Sequence, residues 1–277
     1  KYILGYVLKI EAAFMLLPCV TSLIYHEKEG RYFFLVSCVC MLLGVLMTYR
    51  KPKNTVFYLK EGCLATSLSW IILSLFGAIP FWISGEIPQW ENALFETISG
   101  FTTTGATVLS NVAGLSHTAL IWRRFTPSIG GMGVLVCRAE SLGASVCKLV
   151  PKVRYTAMIL YTIYFGMTVI EFIFLLAGKM PVFDALTTAF GTAGTGGFGI
   201  KNDSIMGYSP YIQWVVAIFM ILFGINFNFY FYILYRHFRK AISMEEIHYY
   251  LAMILLAVTI IFLNVRTMYP TGYEAMT

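Results

Sequence analysis

Two short stretches of this sequence hold the residue types from which a cation-coordinating surface can be built. Thr102-Thr103-Thr104-Gly105 and Gly194-Thr195-Gly196-Gly197 combine hydroxyls and glycines and carry no charge. A cation entering a narrow passage sheds water, and closely spaced backbone carbonyls can replace it. Glycine suits such a ladder because successive carbonyls often require φ > 0, which a side chain penalises. Threonine adds a neutral hydroxyl oxygen. Each stretch follows a short apolar, helix-like segment, Asn92–Phe101 in one case and Asp184–Ala193 in the other. From Asn92 to Gly105 is 13 residues, and from Asp184 to Gly197 is again 13. In that ungapped register Thr103 falls on Thr195, Thr104 on Gly196 and Gly105 on Gly197. A short helix aiming its C-terminus at the same point contributes about half a negative charge there.

The elements that must position these stretches follow from composition. Of 277 residues, 58% are hydrophobic and 12% charged, against about 25% charged in a soluble domain. With a mean hydropathy of +0.72, this pattern excludes disorder, a coiled coil and an ordinary soluble enzyme. Seven stretches read as membrane-spanning helices: 3–25, 32–49, 62–84, 117–137, 155–178, 211–235 and 249–265. The fourth is the weakest, since it contains Arg123, Arg124 and Pro127. Connecting segments 50–61, 138–154 and 236–248 hold eleven Lys and Arg, and the alternate set holds five. That alternation predicts a cytoplasmic N-terminus, with 85–116 and 179–210 outside. The two Thr/Gly stretches lie in those outer segments. Their short helices are too short to span a bilayer and read as re-entrant. A spanning helix precedes and another follows each of them, so the unit helix, half-helix, Thr/Gly strand, helix occurs twice in one orientation, with the strand expected to be short and extended.

Other chemistry is sparse. The six cysteines form no CxxC pair, and the four histidines are scattered. Cysteines in apolar spans read as small hydrophobes, and no cofactor is expected. Net charge is +6, but the basic residues sit between apolar spans, which argues against nucleic acid. Glu171 is the one carboxylate well inside a span, and Glu11 is placed near a span end beside Lys9. A membrane enzyme would need a titratable cluster, and a proton- or sodium-coupled carrier of a small cation or solute usually needs intramembrane ionisable residues. The carrier is the alternative reading. Arg123 and Arg124 are expected to snorkel at the outer end of their span. Glu86, Glu91, Glu96, Asp184 and Asp203 are expected to make the outer mouth negative. Asn226 and Asn228, mid-span, read either as interhelical hydrogen-bond glue or as gating residues.

Three runs together, Ser99-Gly100-Phe101-Thr102-Thr103-Thr104-Gly105-Ala106-Thr107, Ile129-Gly130-Gly131-Met132-Gly133 and Thr192-Ala193-Gly194-Thr195-Gly196-Gly197-Phe198, resemble the TrkH/KtrB potassium-uptake family over essentially the whole chain. The resemblance implies an all-α polytopic membrane protein. Two leading helices would be followed by parallel helix, pore-helix, filter, helix repeats around a central pore. It implies a leading hairpin over 1–55, a first pore repeat over 56–137, a second over 138–240 and the start of a third over 241–277. Thr103, Thr104, Gly105, Thr195, Gly196 and Gly197 would then line a potassium filter. A homodimer in a bacterial cell membrane is further implied, gated by a cytoplasmic nucleotide-binding subunit (TrkA-like) docked on the basic inner loops. Four repeats are the family's pattern, so the expectation is a longer protein, with residues missing at the 137/138 junction as well.

Overall fold

The computed structural model describes residues 1–49, 59–141 and 150–265. Its described residues form twelve α-helices and no strand: α1 (Tyr2–Phe14), α2 (Leu16–Tyr25), α3 (Gly30–Thr48), α4 (Leu59–Ile83), α5 (Trp90–Phe101), α6 (His117–Ser141), α7 (Val150–Ala177), α8 (Val182–Ala193), α9 (Pro210–Gly224), α10 (Phe227–Leu234), α11 (Phe238–Ile242) and α12 (Glu245–Val265). Helices dominate because backbone groups in a bilayer must bond within their own segment.

Among the described residues, five helical stretches are long and apolar enough to cross a membrane: Tyr2–Tyr25, Gly30–Thr48, Gly62–Ile83, Ala157–Ala177 and Glu245–Asn264. The first is α1 and α2 with an interruption at Met15. Pro18 lies just beyond it, and without an N–H it cannot bond back to the Phe14 carbonyl. Two expected spans differ from expectation. The stretch expected over 211–235 is broken, with α9 and α10 bent by 86° from each other. At the break Ile225 takes an extended conformation and the Asn226 side chain caps α10 by accepting from Asn228 N–H at 3.1 Å. The stretch expected over 117–137 is helical as α6, but its polar residues keep it out of the apolar set. That helix continues through Cys137 and Arg138 to Ser141. Residues 142–149 lie outside the described residues. So do 50–58, with the inner bases Arg50, Lys51 and Lys53, and 266–277, with Tyr269-Pro270.

The chain divides into two compact units. One comprises Lys1–Gly131 together with Gly196–Ser204, the other Met132–Thr195 together with Ile205–Thr277. In the first, α1 packs along α3 and against α4, and α4 supports α5. Phe33, Phe81, Phe101 and Trp122 fill its centre, with Trp122 edge-on to Phe33 and to Phe101. The Trp122 indole donates to the Gly77 carbonyl at 3.1 Å. In the second unit, α7, α8 and α9 enclose Leu175, Ala185, Ala189, Val216 and Phe219.

Carboxylates hold the start of α6. Glu27, in the loop between α2 and α3, accepts from the backbone N–H of His117 and of Thr118, both at 2.9 Å, and from the Thr118 hydroxyl at 2.6 Å. Glu86 accepts from Ser116 N–H at 3.2 Å. These bonds satisfy amides that a helix N-terminus leaves unpaired, and negative charge is favoured there. The His117 imidazole lies 2.9 Å from Glu27 and stacks on Tyr25 with ring centroids 4.1 Å apart. Burial alone would raise the Glu27 pKa, but the hydrogen bonds from Thr118 and His117 outweigh it and hold the carboxyl below its ordinary value of 4.5. A carboxyl whose pKa is lowered on folding stabilises fully above its unfolded pKa and loses that contribution as pH falls through the folded one. The melting temperature of the purified protein, followed by tryptophan fluorescence, should therefore drop on acidification below pH 4.5. Glu27→Gln should melt lower at neutral pH and show a smaller acid-induced drop.

Candidate functional site

Each Thr/Gly stretch emerges from the C-terminus of a twelve-residue helix, α5 or α8. At about 1.5 Å per residue such a helix reaches only about 18 Å, which is short of a bilayer's core. Glu91 lies in the first turn of α5 and Asp184 in that of α8. The acid thus sits at the positive end of each helix, and the partially negative carbonyl end faces the Thr/Gly stretch.

The stretches are not β-strands. Thr103 has φ +56° and Gly105 φ +72°, and at the matching positions Thr195 has φ +51° and Gly197 φ +71°. Thr104 and Gly196 lie between them and are not left-handed. Positive φ at every second residue departs from the regular extended backbone of a strand. For threonine, a β-branched residue, positive φ is an outlier, and such strain persists only where the surroundings enforce it. Here the end of α5 enforces it. The Ser99 carbonyl accepts from Thr104 N–H at 2.9 Å, the Gly100 carbonyl from Thr103 N–H at 2.9 Å, and the Ser99 hydroxyl donates to the Ala106 carbonyl at 2.7 Å. In the second copy Thr195 N–H returns to the Thr192 carbonyl at 2.8 Å.

Gly105 and Gly196 meet. A Cβ on Gly105 would collide with the Gly196 carbonyl oxygen and lie 3.7 Å from the Gly197 Cα. A Cβ on Gly130, in α6, would collide with the carbonyl of Phe101 at the end of α5. Gly130 is therefore what lets α6 approach the end of the short helix. Beyond the glycines, Asn202 ties the two loops by accepting from Val112 N–H at 2.8 Å.

The arginines depart from the snorkelling expectation. Arg123 and Arg124 are 2% and 4% exposed. Arg123 donates through Nε to Glu96 at 2.9 Å and through Nη1 to the Gly199 carbonyl at 3.0 Å, with its guanidinium 4.0 Å from the Phe198 ring centroid. Arg124 donates to the Phe198 carbonyl. Glu96 is likewise no mouth charge. It is buried and also accepts from the Thr107 hydroxyl and from Val108 N–H at 2.8 Å. Asp184 accepts from the Tyr208 hydroxyl at 2.7 Å. Sequence reasoning missed this network, although an arginine pair inside an outer half-span was the available signal. Glu11, expected near a span end, is fully buried, with neither carboxyl oxygen hydrogen-bonded among the described residues. Asn226 caps α10 and donates to Glu246 at 2.6 Å. No group of three or more His, Cys, Asp or Glu able to hold a metal occurs among the described residues.

Comparison with known proteins places the chain. The family described as TrkH, cation transport protein, matches residues 29–269. The Trk system potassium uptake protein TrkH of Salmonella typhimurium is 34% identical over 255 residues, covering 84% of this chain and 52% of that protein. An uncharacterized cation transporter of Methanocaldococcus jannaschii is 31% identical over 238 residues, 81% of this chain and 50% of the other. The crystal structure of the potassium transporter TrkH from Vibrio parahaemolyticus aligns with a TM-score of 0.87 at 27% identity, over 99% of this chain and 60% of that one. The chain thus spans about half the length of the relatives it matches.

The two left-handed glycines should respond differently to a methyl group. Both Gly105→Ala and Gly197→Ala incur a left-handed strain of about 1–2 kcal/mol. Only Gly105→Ala adds a backbone collision, since nothing lies within 4 Å of a Cβ on Gly197. Melting of the purified proteins should therefore fall further for Gly105→Ala. An equal or larger fall for Gly197→Ala would contradict the close approach.

Proposed function

From the premise that this membrane protein belongs to the TrkH family of cation transport proteins, we propose that it takes up potassium through a channel-like filter of backbone carbonyls. Thr103, Thr104 and Gly105 supply one filter segment, and Thr195, Gly196 and Gly197 supply another. The observation that carries this reading is the matched left-handed backbone at Thr103/Gly105 and Thr195/Gly197, delivered by two twelve-residue helices, with Gly105 against Gly196. Neutral main-chain oxygens beyond the ends of α5 and α8 suit a large monovalent cation better than a strongly hydrated divalent one.

The rest of the proposal follows the chain. Residues 1–55 form a leading hairpin, 56–137 and 138–240 two pore repeats, and 241–277 the beginning of a third. The N-terminus is cytoplasmic, in a cell membrane. The protein works as a homodimer whose inner face, with the exposed Arg236, Arg239 and Lys240, receives a cytoplasmic nucleotide-binding regulatory subunit of the TrkA type. The protein is a transporter rather than an enzyme, with potassium as cargo and no cofactor in the chain.

Reconstitution in vesicles with labelled rubidium or potassium tests the proposal. Flux should follow the membrane potential and persist when the proton gradient is collapsed, and Gly105→Ser should lower the potassium-over-sodium ratio. Flux that stops without a proton or sodium gradient would favour the coupled carrier instead. An unchanged ratio in Gly105→Ser would remove Gly105 from the filter.

A further inference from the structure

The Glu96–Arg123 pair stands behind both filter segments yet belongs to one repeat. The two copies are offset by 92 positions, as Gly105 to Gly197. By that offset Glu96 corresponds to Thr188, so the second repeat lacks the carboxylate. The same offset makes Thr107 and Gly199 equivalent. The pair grips this one repeat position in both copies. Glu96 accepts from the Thr107 hydroxyl, and Arg123 donates to the Gly199 carbonyl at 3.0 Å. It holds the adjoining residues as well, through Val108 N–H on Glu96 at 2.8 Å and the Phe198 ring 4.0 Å from the guanidinium.

We propose that Glu96 and Arg123 are positioning residues for both filter segments at once, a single buried tie that sets the height of the Gly197 segment against the Gly105 segment and thereby the preference for potassium over sodium. The inference rests on the filter reading above and adds a fixed register between the segments. Three physical points support it. A buried ion pair is weak evidence of stabilisation, because desolvation offsets most of its attraction, and its best-attested use is to fix register. Its side chains are 1% and 0% exposed, so water does not loosen the geometry. Arginine is also suited to this place, since its rigid fork reaches a carboxylate and a separate carbonyl together, whereas a lysine ammonium offers one compact charge on a flexible stem.

Arg123→Lys therefore discriminates, because it keeps the charge beside Glu96 and gives up the fork to Gly199. The experiment measures potassium and sodium flux in vesicles, with melting temperature on the same preparations. For Arg123→Lys the expected result is a potassium-over-sodium ratio lowered about tenfold, the scale of one lost charge-assisted hydrogen bond, with a folded protein that still conducts. Thr107→Val removes the side-chain half of the grip on the other segment at an exposed position, leaving the Val108 N–H bond, and should also lower the ratio, while Thr107→Ser keeps the hydroxyl and the wild-type ratio. A purely structural pair would lower melting in Arg123→Lys and leave the ratio at the wild-type value, which overturns the proposal. If Arg123→Lys does not fold, a wild-type ratio in Thr107→Val overturns it in the same way. Wild-type protein that conducts no potassium would instead overturn the filter reading, and the proposal with it.

Discussion

Backbone that leaves a helix within a bilayer has no water to bond to, so protein must hold it wherever it runs. In the filter reading proposed above, the residues following α5 and α8 also keep oxygens available rather than consume them in a ladder. The first copy resolves this by bonding the amide side. Thr103 and Thr104 return their N–H groups to Gly100 and Ser99, Val108 gives its N–H to Glu96 and Val112 to Asn202. With these donors occupied by the short helix, a buried carboxylate and an asparagine, and the Ala106 carbonyl taken by the Ser99 hydroxyl, the filter reading assigns the Thr103–Gly105 carbonyls to the ligand. Left-handed φ at alternate residues is the local consequence, and glycine at 105 is its steric condition.

The same constraint accounts for what surrounds the stretches. Two glycine approaches, Gly130 on the Phe101 carbonyl and Gly105 on the Gly196 carbonyl, bring backbone against backbone where side chains would hold it off. Several of the charges around this packing are spent on backbone. Glu27 and Glu86 bind the first amides of α6, and Arg123 and Arg124 bind carbonyls of the 198–199 segment. Glu96, an expected mouth acid, proves to be an internal partner of Arg123, and Asp184, half-buried, accepts from Tyr208.

Much of the fold was legible from pattern. Long apolar runs announce α3, α4, α7 and α12, because in lipid hydrophobicity alone defines the element. The in-register 13-residue spacing announces two equivalent short helices with equivalent ends, and the matching φ values at 103/195 and 105/197 fit that register. What escaped has one cause: pattern reports environment averaged over a window, not what a single side chain touches. Arg123 and Arg124 sit at a depth where snorkelling and burial look the same in sequence, and only the neighbouring Glu96 and the 198–199 carbonyls decide. The 86° bend between α9 and α10 was hidden because no proline marks it. Asn226 both caps the second helix and bonds Glu246, which an apolar run with two asparagines does not reveal. The description of the Thr/Gly stretches as strands failed because extended and alternating-handed backbones have the same composition.

In the filter reading proposed above, main-chain oxygens at Thr103–Gly105 and Thr195–Gly197 coordinate a dehydrated monovalent cation. Crystals of the protein grown in rubidium or thallium salts test it directly through anomalous diffraction. An anomalous peak bounded by the carbonyl oxygens of both segments is expected, weakened when potassium is added as competitor and kept when the same concentration of sodium is added instead. A peak elsewhere in the protein with none between these segments, or equal displacement by sodium and potassium, would contradict this.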